Sequence, residues 1–171
     1  TLKRSNAFPF VGEECRVVRE GVGLLDISGF SRYEVSGPNA AGWLHRIAAS
    51  RVPAHGRARL APLLAPSGRL KGDLTVFHWG DGSWWLMGSY YLRQWHMRWF
   101  NDHPEEGVRV RDISDTTVGF SLVGPKSREV LSQLTQFDLN NNSLPFMGCT
   151  TMDVGLIRAK VARLSVCGEL G

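Results

Sequence analysis

The tripeptide Asp26-Ile27-Ser28 returns as Asp112-Ile113-Ser114, and this recurrence limits the folds open to the chain. Each copy precedes a short strand-like run, then a Gly-Pro pair, then a segment of helical periodicity. Tyr33, Val35, Gly37, Pro38, Trp43, Leu44 and Ile47 match Phe120, Leu122, Gly124, Pro125, Val130, Leu131 and Leu134 in order. The second copy carries one extra residue between the tripeptide and the Gly-Pro pair. Strand–turn–helix units are common, but two anchors in the same order favour pseudo-repetition. Two α+β modules of similar build follow from it. Two copies are too few for a solenoid.

The rest of the chain is punctuated in the same style. Val11, Cys15, Val18 and Val22 predict an amphipathic helix over 13–22, ended by Gly21 and Gly23. A strand follows over 32–36, with Tyr33 and Val35 on one face. Pro38 suits the first turn of a second helix, whose stripe is Ala40, Trp43, Leu44 and Ile47. Residues 53–68, with Pro53, Pro62, Pro66 and Gly68, look like a transition between lobes with a strand inside it. Residues 70–79 and 84–87 form a hairpin around Gly80-Asp81-Gly82. Residues 90–102 form an aromatic helix, in which Tyr91, Trp95 and Trp99 lie four apart. Strands are expected over 108–110 and 118–123, then a helix after Gly124-Pro125, a polar loop over 138–143, and a hairpin over 150–166 turning near Val154-Gly155.

Composition excludes several classes. The chain has 171 residues, 43% apolar and 21% charged, as an ordinary globular protein does. No apolar run is long enough to span a membrane, and the N-terminus lacks the apolar core of a signal peptide. The net charge is +4, but the basic residues alternate with acids and no basic run is interleaved with aromatics. No nucleic-acid surface is expected. Cys15, Cys149 and Cys167 are odd in number and far apart, which fits a reducing, cytoplasmic setting and three inert thiols. Five histidines show no metal-binding spacing, so no metal is expected.

Little of the remaining chemistry stands on spacing alone. Gly21-Val22-Gly23 follows a helix and opens a strand, the reverse of a dinucleotide loop. The aromatic helix and Trp84-Trp85 suit packing against a sheet. Two carboxylates stand apart. Asp73 begins an apolar strand beside Gly72, where an acid can face a ligand or cap a turn. Glu169 sits between Gly168 and Gly171, where a carboxylate can take a paired donor edge of a heterocycle or lie exposed in a turn.

Several stretches, taken together, resemble the glycine-cleavage T-protein (aminomethyltransferase) superfamily. They are Phe10 to Cys15 with Val22 to Ser28; Phe30 to Gly37; Pro66 to Arg69 through Asp73-Leu74-Thr75-Val76; Val123-Gly124-Pro125; and Arg163-Leu164-Ser165 with Gly168 to Gly171. They run in family order over nearly the whole chain. The likeness is greatest to the C-terminal part of dimethylglycine and sarcosine dehydrogenases.

The resemblance implies an α+β fold of two lobes with antiparallel sheets flanked by helices, followed in the family by a β-barrel lobe that is missing here. The first lobe would comprise residues 1–52 and 138–171, ending within the Glu169 motif, with a second lobe, 53–137, inserted in it. An incomplete lobe favours partnership or self-association. The implied function is transfer of an amine-derived methylene group to tetrahydrofolate, as part of a dehydrogenase acting on a small N-methylated amine. FAD is implied only if a flavin domain or partner subunit exists. Asp73 matches the catalytic aspartate and Glu169 the pterin-binding glutamate. Leu60 and Val166 stand where the family usually places folate-enclosing tyrosines, and Gly72 replaces a frequent acid. These departures leave a second reading open: a non-catalytic ligand-binding or assembly module of the same fold.

Overall fold

The computed structural model describes residues 3–171. Along the chain come α1 (Phe8–Glu20), β1 (Gly23–Asp26), β2 (Ser31–Ser36), α2 (Ala40–Ile47), β3 (Arg57–Leu64), β4 (Leu70–His78), β5 (Trp84–Gly88), α3 (Arg93–Asp102), β6 (Arg109–Asp112), β7 (Phe120–Val123), α4 (Ser127–Ser132), β8 (Cys149–Val154) and β9 (Ile157–Ala162). Every strand pairing is antiparallel. The strands form a five-stranded sheet, β3-β4-β5-β2-β6, and two pairs, β1-β7 and β8-β9. A bridge between Arg57 and Gly148 ties the β8-β9 hairpin to the β3 edge.

The sequence repeat is a repeat of hydrogen bonds. In the first copy Ser28 N–H donates to Asp26 Oδ1, and Ser28 Oγ accepts from Gly119 N–H at 3.1 Å. In the second, Ser114 N–H donates to Asp112 Oδ1, and Ser114 Oγ accepts from Arg32 N–H at 2.9 Å. Ile27 N–H donates to the Gly119 carbonyl, and Ile113 N–H to that of Arg32. Each Asp-Ile-Ser turn is thus closed by the start of the other copy's strand. The same exchange pairs β1 with β7 and β2 with β6. The two copies are interlocked rather than side by side, and neither can complete its turn alone.

Alternation decides what each strand buries. Tyr33 and Val35 point inward from β2 and are fully buried. They meet Leu63, Leu74, Val76 and Leu86 from the sheet and Trp43, Leu44 and Ile47 from α2. The α2 stripe is the one its periodicity predicts: Ala40, Trp43, Leu44 and Ile47 are its buried residues. The second repeat copy is less covered, since Phe120, at the position of Tyr33, is exposed.

Three sequence expectations shift. The first helix starts at Phe8 rather than 13, because Pro9 presets its first turn, and none of its residues is buried. On α3 the buried face is His96 and Phe100, one position on from the Trp95-Trp99 stripe. Tyr91 is almost wholly exposed. A boundary after residue 52 would cut the main sheet, because β2 lies hydrogen-bonded between β5 and β6. The inward side chains of β2 require partners on both edges and helices above, so β2 and α2 pack with residues 57–112.

Candidate functional site

Cross-strand partners share a face of a sheet. Asp73 pairs with Pro62, Thr75 with both Leu60 and Met87, and Phe77 with Ala58 and Trp85. Asp73, Leu60, Thr75 and Met87 therefore lie on the face opposite the α2-α3 helices, with Leu60 and Asp73 diagonal neighbours. Part of this face is covered: Phe77, Trp79 and Ala58 pack with Cys149, and Trp85, Met87, Ala162 and Leu164 join them. The part around Asp73 is open, with Asp73 exposed and Leu60 67% exposed. The Asp73 carboxylate takes part in none of the ion pairs among the described residues. It sits within β4 rather than at a turn.

The segment that leads to Glu169 starts from the covered part of this face. Leu164 packs against the cluster of Ala58, Phe77, Trp79 and Cys149, and the chain then makes a loop closed by Leu164 N–H donating to the Gly171 carbonyl. The Leu170 carbonyl accepts from Gly124 N–H and Ser127 Oγ, anchoring the loop at the second Gly-Pro turn. Inside the loop, Glu169 Oε1 accepts from Val166 N–H at 2.8 Å. Its Oε2 accepts from Cys167 N–H at 2.6 Å and from Ser165 Oγ at 3.1 Å. A carboxylate offers about four lone-pair directions. Three are used, and the one left is on Oε1. Val166, 92% exposed, stands at the loop's tip.

The Val166 and Cys167 backbone N–H groups hold the Glu169 carboxyl down to about 2. Lowering of a folded-state acid pKa stabilises the fold above its ordinary value of 4.5, and that support is lost as pH falls toward about 2. Acid titration followed by carboxyl NMR is expected to place the Glu169 midpoint near 2. The amides of Val166 and Cys167 should shift in step. A midpoint at the ordinary glutamate value would mean the turn does not hold the side chain.

Sequence reasoning missed His96. Its ring lies on the helix-facing side of the sheet, fully buried, against β4 and β5 at Gly72 and Gly88. The available signal was His96 and Phe100 four apart on α3. It was obscured by the larger tryptophans one position earlier. Tyr90 and Tyr91, assigned to packing, instead line a shallow cleft of about 230 Å³ with Phe30 and Asp26. A larger cleft, about 430 Å³ around Arg128 and Asp138, contains none of the residues named from the sequence. Among the described residues no trio of His, Cys, Asp or Glu is placed to hold a metal ion.

These features define an α+β domain with an open sheet face that carries an exposed carboxylate, and with a loop stapled by a second carboxylate. The chain belongs to the GCVT N-terminal domain family, whose model matches residues 2–171. It is 29% identical to the mitochondrial dimethylglycine dehydrogenase of Rattus norvegicus, over the whole chain and 20% of that protein. It is 31% identical to sarcosine oxidase subunit alpha of Corynebacterium sp. (strain P-1), over 98% of the chain and 19% of the subunit. The chain thus spans about a fifth of the length of these curated relatives. The glycine cleavage system aminomethyltransferase T of Bartonella henselae has the same fold, with a TM-score of 0.78 at 22% identity, over 93% of this chain and 43% of that one.

Proposed function

We propose that this domain transfers a one-carbon unit, capturing an amine-derived methylene group on tetrahydrofolate within an enzyme resembling dimethylglycine or sarcosine dehydrogenase. The observation that carries the reading is Asp73. It is an exposed carboxylate with no ion-pair partner among the described residues, on the open sheet face of a domain in the GCVT N-terminal domain family. Tetrahydrofolate supplies the nitrogen nucleophile. Asp73 takes the proton from that nitrogen, or stabilises positive charge developing beside it. Leu60 and Val166 offer apolar surface to a flat ring, without the hydroxyls of tyrosine. Glu169 accepts one pterin N–H at its open Oε1 lone pair. A second, parallel bond requires Ser165 or Cys167 to release Oε2.

FAD belongs to this reading only through a flavin domain or partner subunit, and the N-methylated amine is the substrate of that larger enzyme. We assign the discontinuous first lobe to the segments around β1 and around β7 to β9, with β2 to β6 as the inserted lobe. Three free cysteines fit a reducing compartment, whether cytoplasmic or, as the name of the rat relative states for that protein, mitochondrial. No helix among the described residues is long and apolar enough to cross a membrane.

Titration calorimetry of the full chain with tetrahydrofolate tests the ligand. We expect saturable binding that Glu169→Ala weakens by roughly tenfold, the value of one charge-assisted hydrogen bond. No binding to the parent would favour the alternative, an assembly module of the same fold. Unchanged binding in Glu169→Ala would remove Glu169 from the site.

A further inference from the structure

His96 is a fully buried titratable side chain on the helix side of the sheet, behind Asp73, and it is paired with the equally buried Tyr33. Its Nδ1 lies 3.1 Å from the Tyr33 hydroxyl, which also donates to the Arg93 carbonyl at 3.3 Å. Its Nε2 has no hydrogen-bond partner among the described residues. Burial of such an atom has a cost, so the ring is held there by its surroundings. Those surroundings are two glycines. A methyl group on Gly72 would stand 3.2 Å from Nε2, and one on Gly88 would stand 3.0 Å from Cε1. Neither glycine has a positive φ, so the backbone does not call for glycine at either place. The packing does: a Cβ on Gly72 would crowd the imidazole first, and one on Gly88 would meet Leu74 Cδ2 as well as the ring.

The slot has a functional address. Gly72 precedes Asp73 on β4, and the Asp73 carbonyl lies 3.6 Å from the same point above Gly88. Successive side chains of a strand project to opposite faces. The imidazole thus presses on the backbone from the helix side at the place where the Asp73 carboxylate leaves it on the open side. Burial lowers the His96 pKa, and the Asp73 charge opposes that shift. The other charged neighbour, Arg93, is engaged by Asp112 and Asp115.

We propose that His96 is a positioning residue for Asp73: its ring fills the slot left by Gly72 and Gly88 and fixes the β4 backbone from which the carboxylate projects. This rests on the proposed role of Asp73. A small misplacement of a reacting group is enough to slow a reaction by one or two orders of magnitude.

The test uses the full chain with three single variants: His96→Phe, which keeps a ring and loses the Tyr33 bond; Tyr33→Phe, which removes the same bond from the other side; and Gly72→Ala, which crowds the ring. The first readout needs no ligand. The carboxyl NMR resonance of Asp73 should shift in all three, while that of Asp153 on β8 stays in place. The second is methylene transfer: kcat should fall roughly tenfold in His96→Phe, with KM for tetrahydrofolate within about twofold. In an Asp73→Asn background the same substitution should have no further effect. An unmoved Asp73 resonance in every variant that folds, or an equal fall in both backgrounds, would overturn the proposal. If Asp73→Asn alone leaves transfer intact, the functional reading fails instead, and the resonance measurement still decides the positioning.

Discussion

Gly37→Ala is expected to lower the stability of the domain by about 2–6 kcal/mol, and Gly124→Ala by a similar amount. Gly37 has φ +113° and Gly124 φ +118°, a region that costs an L side chain about 1–3 kcal/mol. Sterics add to this. A Cβ on Gly37 would run into the Gly107 carbonyl and stand 3.3 Å from Val108 Cα. A Cβ on Gly124 would stand 2.5 Å from the Gly21 carbonyl oxygen and 3.1 Å from Val22 Cα. These are backbone atoms, which cannot rotate away, and overpacking of this sort costs about another 1–3 kcal/mol. The two collisions are equivalent under the repeat, since Gly107-Val108 leads into β6 as Gly21-Val22 leads into β1. Gly42, inside α2, has no atom within 4 Å of an added Cβ. Gly42→Ala should therefore be neutral or stabilising by up to about 1 kcal/mol, because alanine is the better helix former. Urea unfolding of the three variants separates the cases. A loss below about 1 kcal/mol in Gly37→Ala would mean that the Gly-Pro turn is not the fixed junction it forms here.

That junction was visible in the sequence as a spacing, and its cause was not. The matched Asp-Ile-Ser and Gly-Pro anchors identified the repeat, and the one-residue offset between them is the one the hydrogen bonds keep, with Arg32 and Gly119 in equivalent places. The sequence could not reveal that each copy closes the other, because pairing between residues about 90 apart leaves no local pattern. Nor could it show which strands cross a turn-rich segment: Pro and Gly mark turns, and the β2–β5 and β2–β6 pairings pass over residues 53–68. Amphipathic helices were legible where a sheet covers them, as in α2. On α3 the largest side chains misled, since Trp95 buries enough of its length to place Nε1 against the Lys71 carbonyl without entering the core. Leu60 and Asp73 could be brought together only once the β3-β4 register was known. Glu169 illustrates a third kind of gap. Its position between glycines suggested a ligand or a turn, and the hydrogen bonds place it in a turn with one lone pair to spare.

Asp73→Asn is expected to reduce methylene transfer to tetrahydrofolate by about 10²–10⁴-fold in kcat, the range over which a positioned proton-transfer group contributes. The substitution is nearly isosteric. It removes the charge and the basicity while leaving an oxygen and a nitrogen where the two carboxylate oxygens stood. Tetrahydrofolate affinity should change little, because the pterin contacts proposed for Glu169 and the apolar surface of Leu60 and Val166 are untouched. Stability should also hold within about 0.5 kcal/mol, as for other exposed positions. Asp73 is exposed and makes none of the ion pairs among the described residues. That combination of lost turnover with intact binding and intact folding is what a transition-state role demands, since an interaction present equally in the bound state would appear in KM. Measurement of single-turnover transfer, calorimetric affinity and urea midpoint on the same preparation gives all three quantities. Retained transfer would take Asp73 out of the chemistry. Lost binding would instead make it part of the folate pocket, with the proton moved by another group.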